Sequence, residues 1–207
     1  MHANHLVAAV LAATSLAASV ARVSAQTSPR RTEEQVDASI EAHKGDFDYL
    51  LGDWEFTGTR KMPSGEQKFR GVWSAVRLAE GQILDEYRVV GDAGETWYVT
   101  TTLRNYNAFA DRWELVGASA GGGLQDFGTA QRDGAEMRIE QRFGVASGTP
   151  HTWRIRYHGI QADRFSWTAD RSTDGGSTWV KDHQQLEVRR VGPPRTLGPL
   201  APARTAR

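Results

Sequence analysis

From Trp54 onward, apolar and polar residues alternate with a period of two. Trp97, Val99, Thr101 and Leu103 alternate with Tyr98, Thr100, Thr102 and Arg104. Met137, Ile139, Gln141 and Phe143 alternate with Glu136, Arg138, Glu140 and Arg142. Trp153, Ile155 and Tyr157 stand against Arg154, Arg156 and His158, and Phe165 and Trp167 against Arg164, Ser166 and Thr168. One apolar and one charged face mark a half-buried antiparallel strand. Further strands are predicted over residues 54–60, 67–78, 82–90, 112–119, 124–132 and 178–190, about nine or ten in all. Pro63-Ser64-Gly65, Gly91-Asp92-Ala93-Gly94, Arg132-Asp133-Gly134 and Asp174-Gly175-Gly176 read as hairpin turns. Such short links leave no room for crossover helices, so consecutive strands are antiparallel neighbours. The expected fold is all-β, a single antiparallel up-and-down barrel with one short N-terminal helix, because closure buries the apolar face and removes the edges. A two-sheet sandwich is the alternative.

Ahead of the strands, Thr32-Glu33-Glu34-Gln35 has the form of a capping box, Val36 and Ile40 share a face, and Gly45 offers a stop. These predict a helix over residues 33–44, placed as a lid across one barrel end. Residues 6–21 form an apolar, small-residue run with the length of a signal h-region rather than a membrane span. Val23-Ser24-Ala25 then offers a cleavage site that leaves Gln26 first. His2 and His5 stand where Lys or Arg is usual, and an uncleaved anchor is the alternative. The expectation is a protein secreted to the bacterial periplasm or exterior, with no stable membrane anchor after cleavage. The Gly- and Pro-rich tail cannot continue a strand. The chain thus divides into a signal peptide (1–25), a linker and short helix (26–46), a barrel domain (47–191) and a disordered tail (192–207).

Charge and composition narrow the function classes. The 25 Lys and Arg balance 25 Asp and Glu with no long basic run, so nucleic acid is not an expected partner. There is no cysteine, which removes disulfides, lipid attachment at a lipobox and thiol catalysis. No nucleophile elbow, phosphate loop or dinucleotide fingerprint occurs, and Gly121-Gly122-Gly123 reads as a flexible hairpin loop. The histidines lack zinc-site spacing, so neither metal nor cofactor is predicted. His151 shares parity with Trp153 and can point inward at a strand end, whereas His183 sits beside Asp182, a carboxylate able to fix its tautomer.

Large rings concentrate at inward parity: Trp73, Tyr87, Trp97, Trp113, Phe143, Trp153, Tyr157, Phe165 and Trp167. They predict a mainly apolar interior cavity that binds a small hydrophobic or amphipathic molecule. The candidate ligand-binding residues are Trp73, Asp85, Tyr87, Trp97, Trp113, Gln141, Trp153, Tyr157 and Trp167. Asp85 shares the parity of Ile83, Tyr87 and Val89, which makes it a ligand-orienting group or a general acid or base. In a register slipped by one it faces water instead. Two alternatives stay open: the rings fill the interior as an ordinary core, or the cavity houses a small enzyme using Asp85 or His151 on a hydrophobic substrate. No catalytic residue is assigned, and the sequence carries no signal for oligomeric state.

Two motifs resemble known patterns. Ser172-Thr173-Asp174-Gly175-Gly176-Ser177-Thr178-Trp179 resembles the Asp-box turn of sialidases and other propellers. A single copy in a chain too short for blades reads as a hairpin-stabilising device. Phe47-Asp48-Tyr49-Leu50-Leu51-Gly52-Asp53-Trp54 resembles the opening of a family of secreted bacterial proteins of unknown function with a calycin-like barrel. Leu103-Arg104-Asn105-Tyr106-Asn107 with Trp113, Asp174 to Trp179, and Arg189 near the family's closing Arg are similar to later family motifs. The resemblance implies a lipocalin- or nitrobindin-type β-barrel more than an activity. Calycins include lipocalins, fatty-acid-binding proteins and haem-binding nitrobindins, and no residue matches the haem-ligating histidine of the last.

Overall fold

The period-two alternation becomes ten long strands in the computed structural model, which describes residues 31–198. They are β1 (Gly52–Met62), β2 (Gly65–Arg77), β3 (Ile83–Val90), β4 (Thr96–Asn107), β5 (Arg112–Ser119), β6 (Gly123–Asp133), β7 (Glu136–Phe143), β8 (His151–His158), β9 (Arg164–Ser172) and β10 (Val180–Gly192). Each pairs antiparallel with the next, and β10 returns to β1. The sheet therefore closes into an up-and-down barrel, and the sandwich alternative falls away. Among the described residues one α-helix, α1 (Glu33–His43), precedes it, followed by a single 3-10 turn at Asp48–Leu50. The proposed signal segment, its cleavage site and residues 199–207 lie outside the described residues.

The tail expected to be disordered from Gly192 departs from that expectation at its start. β10 runs through Gly192, and a two-residue strand, β11 (Arg195–Thr196), pairs parallel with β2. Arg195 reaches Asp53 Oδ1 at 2.6 Å, and Leu197 N donates to Arg77 O at 2.7 Å. The prolines bend the chain between two pairing segments without preventing either.

The capping box at the start of α1 is formed on both sides. Gln35 N donates to Thr32 Oγ1 at 3.3 Å, and Thr32 N donates to Gln35 Oε1 at 3.0 Å. The helix is not the apolar lid expected from Val36 and Ile40, since none of its residues is buried and Ile40 is exposed. It docks through polar groups instead. Ser39 bonds the Tyr106 hydroxyl at 2.8 Å, and the His43 ring stacks on Tyr106 at 4.9 Å.

What seals this end is the turn after the helix. Phe47, Leu50 and Leu51 are buried, with Phe47 edge-on to Trp113 at 5.1 Å. Trp54 is 1% exposed, donates to Leu50 O at 2.7 Å and meets Phe165 edge-on at 4.9 Å. Arg190, one residue beyond the arginine singled out by the family resemblance, stacks on Trp54 at 4.0 Å. It also donates to Tyr49 O at 3.1 Å and to Leu51 O at 2.5 Å. Gly52 turns the chain from this plug into β1 with φ 111°, and a Cβ there would lie 2.5 Å from the Arg190 guanidinium. Only glycine meets both demands.

The Asp-box segment is a hairpin device at the opposite end. Asp174 accepts from Thr178 N at 2.9 Å and Thr178 Oγ1 at 2.6 Å, and Trp179 Nε1 donates to Gly176 O at 3.0 Å. Those bonds, from Thr178 above all, hold the Asp174 carboxyl down at about 2.

Candidate functional site

Beyond the aromatic plug the barrel encloses a cavity of about 880 Å³ that opens between the hairpins of the other end. The packed-core alternative is thus half right. Trp113 and Phe165 fill the closed half, at 2% and 1% exposure, and neither lines the cavity. Of the nine residues singled out as ligand-binding, the structure brings Trp73, Asp85, Tyr87, Gln141, Trp153, Tyr157 and Trp167 to one wall system. Trp113 belongs to the plug, where its Nε1 donates to Asp46 Oδ2 at 3.2 Å.

Trp97 corrects the parity assigned to β4. It is 55% exposed, touches the cavity only at the rim and donates to Glu95 Oε1 at 2.9 Å. The inward set is Tyr98, Thr100, Thr102 and Arg104, so Thr101 and Leu103 face outward. Both faces of β4 carry apolar residues, so alternation does not choose between them; the β3–β4 register shifts only beside Trp97, with Val89 opposite Tyr98 and Val90 opposite Thr96. An inward Arg104 is then compensated by an inward Asp85.

That pair forms the floor. Arg104 Nε donates to Asp85 Oδ2 at 2.8 Å, with side-chain exposures of 3% and 1%. Trp73 Nε1 donates to the other carboxylate oxygen, also at 2.8 Å. Arg104 lies over the Phe47 ring at 5.1 Å, which ties the floor to the plug. Burial, the largest single influence, lowers the arginine's pKa, and Asp85 beside it leads the opposing influences, with Tyr157 and Tyr49, that leave it raised. Asp85 therefore faces inward, as the unslipped register requires. Both its oxygens are engaged, one by Arg104 and one by Trp73.

A second polar pair went unread in the sequence. Asp126 on β6 is 2% exposed and accepts a hydrogen bond from Gln141 Nε2 on β7. Burial raises its pKa, opposed by the Gln141 bond and by Arg104. Strand glycines signal this pair. Gly117 sits opposite Asp126 and Gly128 opposite Gln141, and a Cβ on either would collide with the polar residue.

On the far side of the ring, β10 carries a bulge. Pairing with β9 shifts between Val180 and Gln184, Asp182 adopts φ 46°, and His183 and Gln184 are buried in succession. The bulge re-aims His183 into the cavity. Its ring meets Trp153 edge-on at 5.3 Å and makes no hydrogen bond among the described residues, so Asp182 does not fix its tautomer. Burial, then the charges of Arg171 and Arg60, push His183 down to about 4. His151 lines the same wall and is also lowered by burial. The phenols are neutral: burial raises Tyr87, and it pushes Tyr157 up to about 12. Trp153 Nε1 and the Tyr87 hydroxyl are buried with no hydrogen-bond partner among the described residues. Gln184 lies near enough to the Tyr87 phenol to favour ionisation slightly, without hydrogen-bonding geometry. The cavity is therefore aromatic and polar together, not the mainly apolar one expected. Among the described residues no cluster of three or more metal-binding side chains forms.

No protein-family model matches the chain, and no curated protein matches it by sequence. Among solved structures, the fold is similar to that of Rv2717c from M. tuberculosis, with a TM-score of 0.51 and 17% identity over 74% of this chain and 97% of that one. The S-type phycobiliprotein lyase CPES from Guillardia theta matches with a TM-score of 0.49 and 13% identity over 79% and 98%. EF1p2_mFAP2b bound to DFHBI matches with a TM-score of 0.32 and 15% identity over 72% and 98%. The family resemblance thus reduces to its coarser part. The chain is a calycin-like, ten-stranded antiparallel barrel, and at these identities the likeness is one of fold.

Proposed function

We propose that this is an exported binding protein that holds a small amphipathic molecule in the open half of its barrel. The observation that carries the reading is the 880 Å³ cavity whose wall presents buried Trp153 Nε1 and Tyr87 hydroxyl groups without hydrogen-bond partners among the described residues. A buried unpaired donor costs about 1–3 kcal/mol, which a ligand acceptor would recover. Trp153, Phe143 and Trp167 supply contact area for an apolar body, and Asp126 with Gln141 supplies an orienting group. With both oxygens of Asp85 engaged, binding accounts for the cavity better than acid–base catalysis.

The test is titration with a panel of apolar and amphipathic probes, such as an anilinonaphthalene sulfonate and a medium-chain fatty acid. Tryptophan fluorescence should quench saturably. Ligand at a hundred times its Kd adds about 2.7 kcal/mol, which raises Tm by roughly 5–10 °C in a domain of this size. The absence of both responses across the panel would remove the reading. Export is tested separately, since the mature protein should begin at or near Gln26, and a full-length cytoplasmic chain would refute it.

A second reading rests on His183. Its imidazole faces the cavity, carries no hydrogen bond among the described residues and is neutral at pH 7, the form that binds iron. A Soret band on hemin titration that disappears in His183→Ala would favour it, and no such band would leave the first reading alone.

A further inference from the structure

The charges on the cavity wall are unevenly placed. Four cationic side chains, Arg60, Lys61, Arg104 and Arg171, line it against two carboxylates, Asp85 and Asp126. Asp85 is taken by Arg104, and Asp126 projects from β6, across the ring from β1. The other three cations lie on β1 (Arg60, Lys61) and β9 (Arg171), the two strands that flank β10 and its His183. Ion pairs lace the outer wall, such as Lys181 with Asp170 and Arg154 with Glu140, but these three enter none among the described residues. Arg60 Nε donates to the Gln184 amide oxygen at 2.7 Å, and Lys61 Nζ to Lys181 O at 2.7 Å, contacts that orient each group and leave its charge uncancelled.

His183 registers the resulting field. After burial, the causes that lower it are Arg171, Arg60, His151 and Lys61, in that order, and three of the four are the cations of this wall. Apolar surface adjoins the cations directly. Arg60 lies over the Phe69 ring at 5.5 Å, and His183 abuts Trp153, which packs against Phe143 at 5.3 Å and Trp167 at 6.1 Å.

From this placement we infer that the mouth is an anion site, where Arg60, Lys61 and Arg171 hold the acidic head of an amphipathic organic anion whose apolar body lies on Trp153, Phe143 and Trp167. The inference rests on the binding function proposed above and narrows its ligand class. Cationic side chains on a partly desolvated wall attract an anion far more than those in bulk water, and each charge-assisted hydrogen bond strengthens the hold.

The test uses three ligands with one ring system on the full chain: 2-naphthylacetate, 2-naphthylacetamide and 2-naphthylethylammonium. The anion should bind about tenfold or more tighter than the amide, the yield of a single charge-assisted hydrogen bond, and the cation weakest. Raising salt to about 0.5 M should weaken the anion and spare the amide. Arg60→Gln with Arg171→Gln should erase the preference while amide affinity persists. Lys61→Gln, at an exposed position, should weaken the anion in part should the double variant fold poorly. Three equal affinities would overturn the anion site and leave the binding function intact. Failure of all three to bind would overturn both.

Discussion

Removing one member of the buried Asp85–Arg104 pair should be among the costliest changes to this barrel. The side chains are 1% and 3% exposed and 2.8 Å apart, and Trp73 completes the coordination of Asp85. In Arg104→Met the carboxylate keeps only the indole N–H. In Asp85→Asn the guanidinium loses its counter-charge. Each strands a charge, at a cost of about 3–5 kcal/mol. The double variant Asp85→Asn with Arg104→Met removes both charges, and the amide oxygen still accepts from Trp73. Its cost should be below about 2 kcal/mol, because buried ion pairs are often replaceable as a unit. Urea denaturation reads this directly. With m of about 2 kcal/mol/M, each single variant lowers the midpoint by about 1.5–2.5 M and the double by under 1 M. Single variants costing under about 1 kcal/mol would show that solvent reaches and screens the pair. A double variant costing the sum of the singles would show that the two residues act independently.

Other outcomes follow from the same contacts. Trp54→Ala deletes a ring that is 1% exposed and should cost about 3–5 kcal/mol by urea titration; a loss under 1 would contradict its place in the plug. Gly52→Ala forces a Cβ into φ 111° beside Arg190, so strain alone should cost about 1–3 kcal/mol, and a thermal scan showing no loss would refute the required turn. His183 has a folded pKa of about 4 against an ordinary 6.5, so the unfolded chain binds more protons between those values. Its contribution is complete above pH 6.5 and falls as pH drops toward 4, with Arg171, Arg60, His151 and Lys61 around the ring. Urea midpoints of His183→Gln should therefore vary less over that window than those of the wild type, and equal slopes would contradict the assignment. Trp153→Phe removes a buried N–H that has no partner among the described residues, and should change stability by less than about 1 kcal/mol while weakening ligands that carry an acceptor.

The barrel was legible because antiparallel neighbours obey local rules. Period-two runs and short turns placed all ten strands, and β5 and β7 were predicted to the residue. The site was legible where that rule held without interruption, as for Trp73, Asp85 and Tyr87 on β2 and β3, or Gln141 on β7 and Trp153 and Tyr157 on β8. It failed on two strands. On β4 both faces carry apolar residues, so alternation alone cannot choose which one looks inward. On β10 the bulge turns two consecutive residues inward, which no strict alternation contains. Asp126 was missed for another reason. A buried carboxylate on a mostly polar strand gives no hydrophobic signal, and only Gly117 and Gly128 opposite the pair betray the space it needs. The helix misled because Val36 and Ile40 match an amphipathic pattern, while docking is done by Ser39 and His43.

Calorimetric titration of 1-anilinonaphthalene-8-sulfonate into the wild type and into Thr100→Trp tests the central claim most directly. Thr100 projects into the cavity from β4, so an indole there occupies ligand volume while the plug at the other end is untouched. The account predicts one saturable site in the wild type, weakened about tenfold or more in a variant that retains its folding midpoint. Undetectable wild-type binding, or binding that the added indole leaves unchanged, would contradict a ligand held inside the barrel.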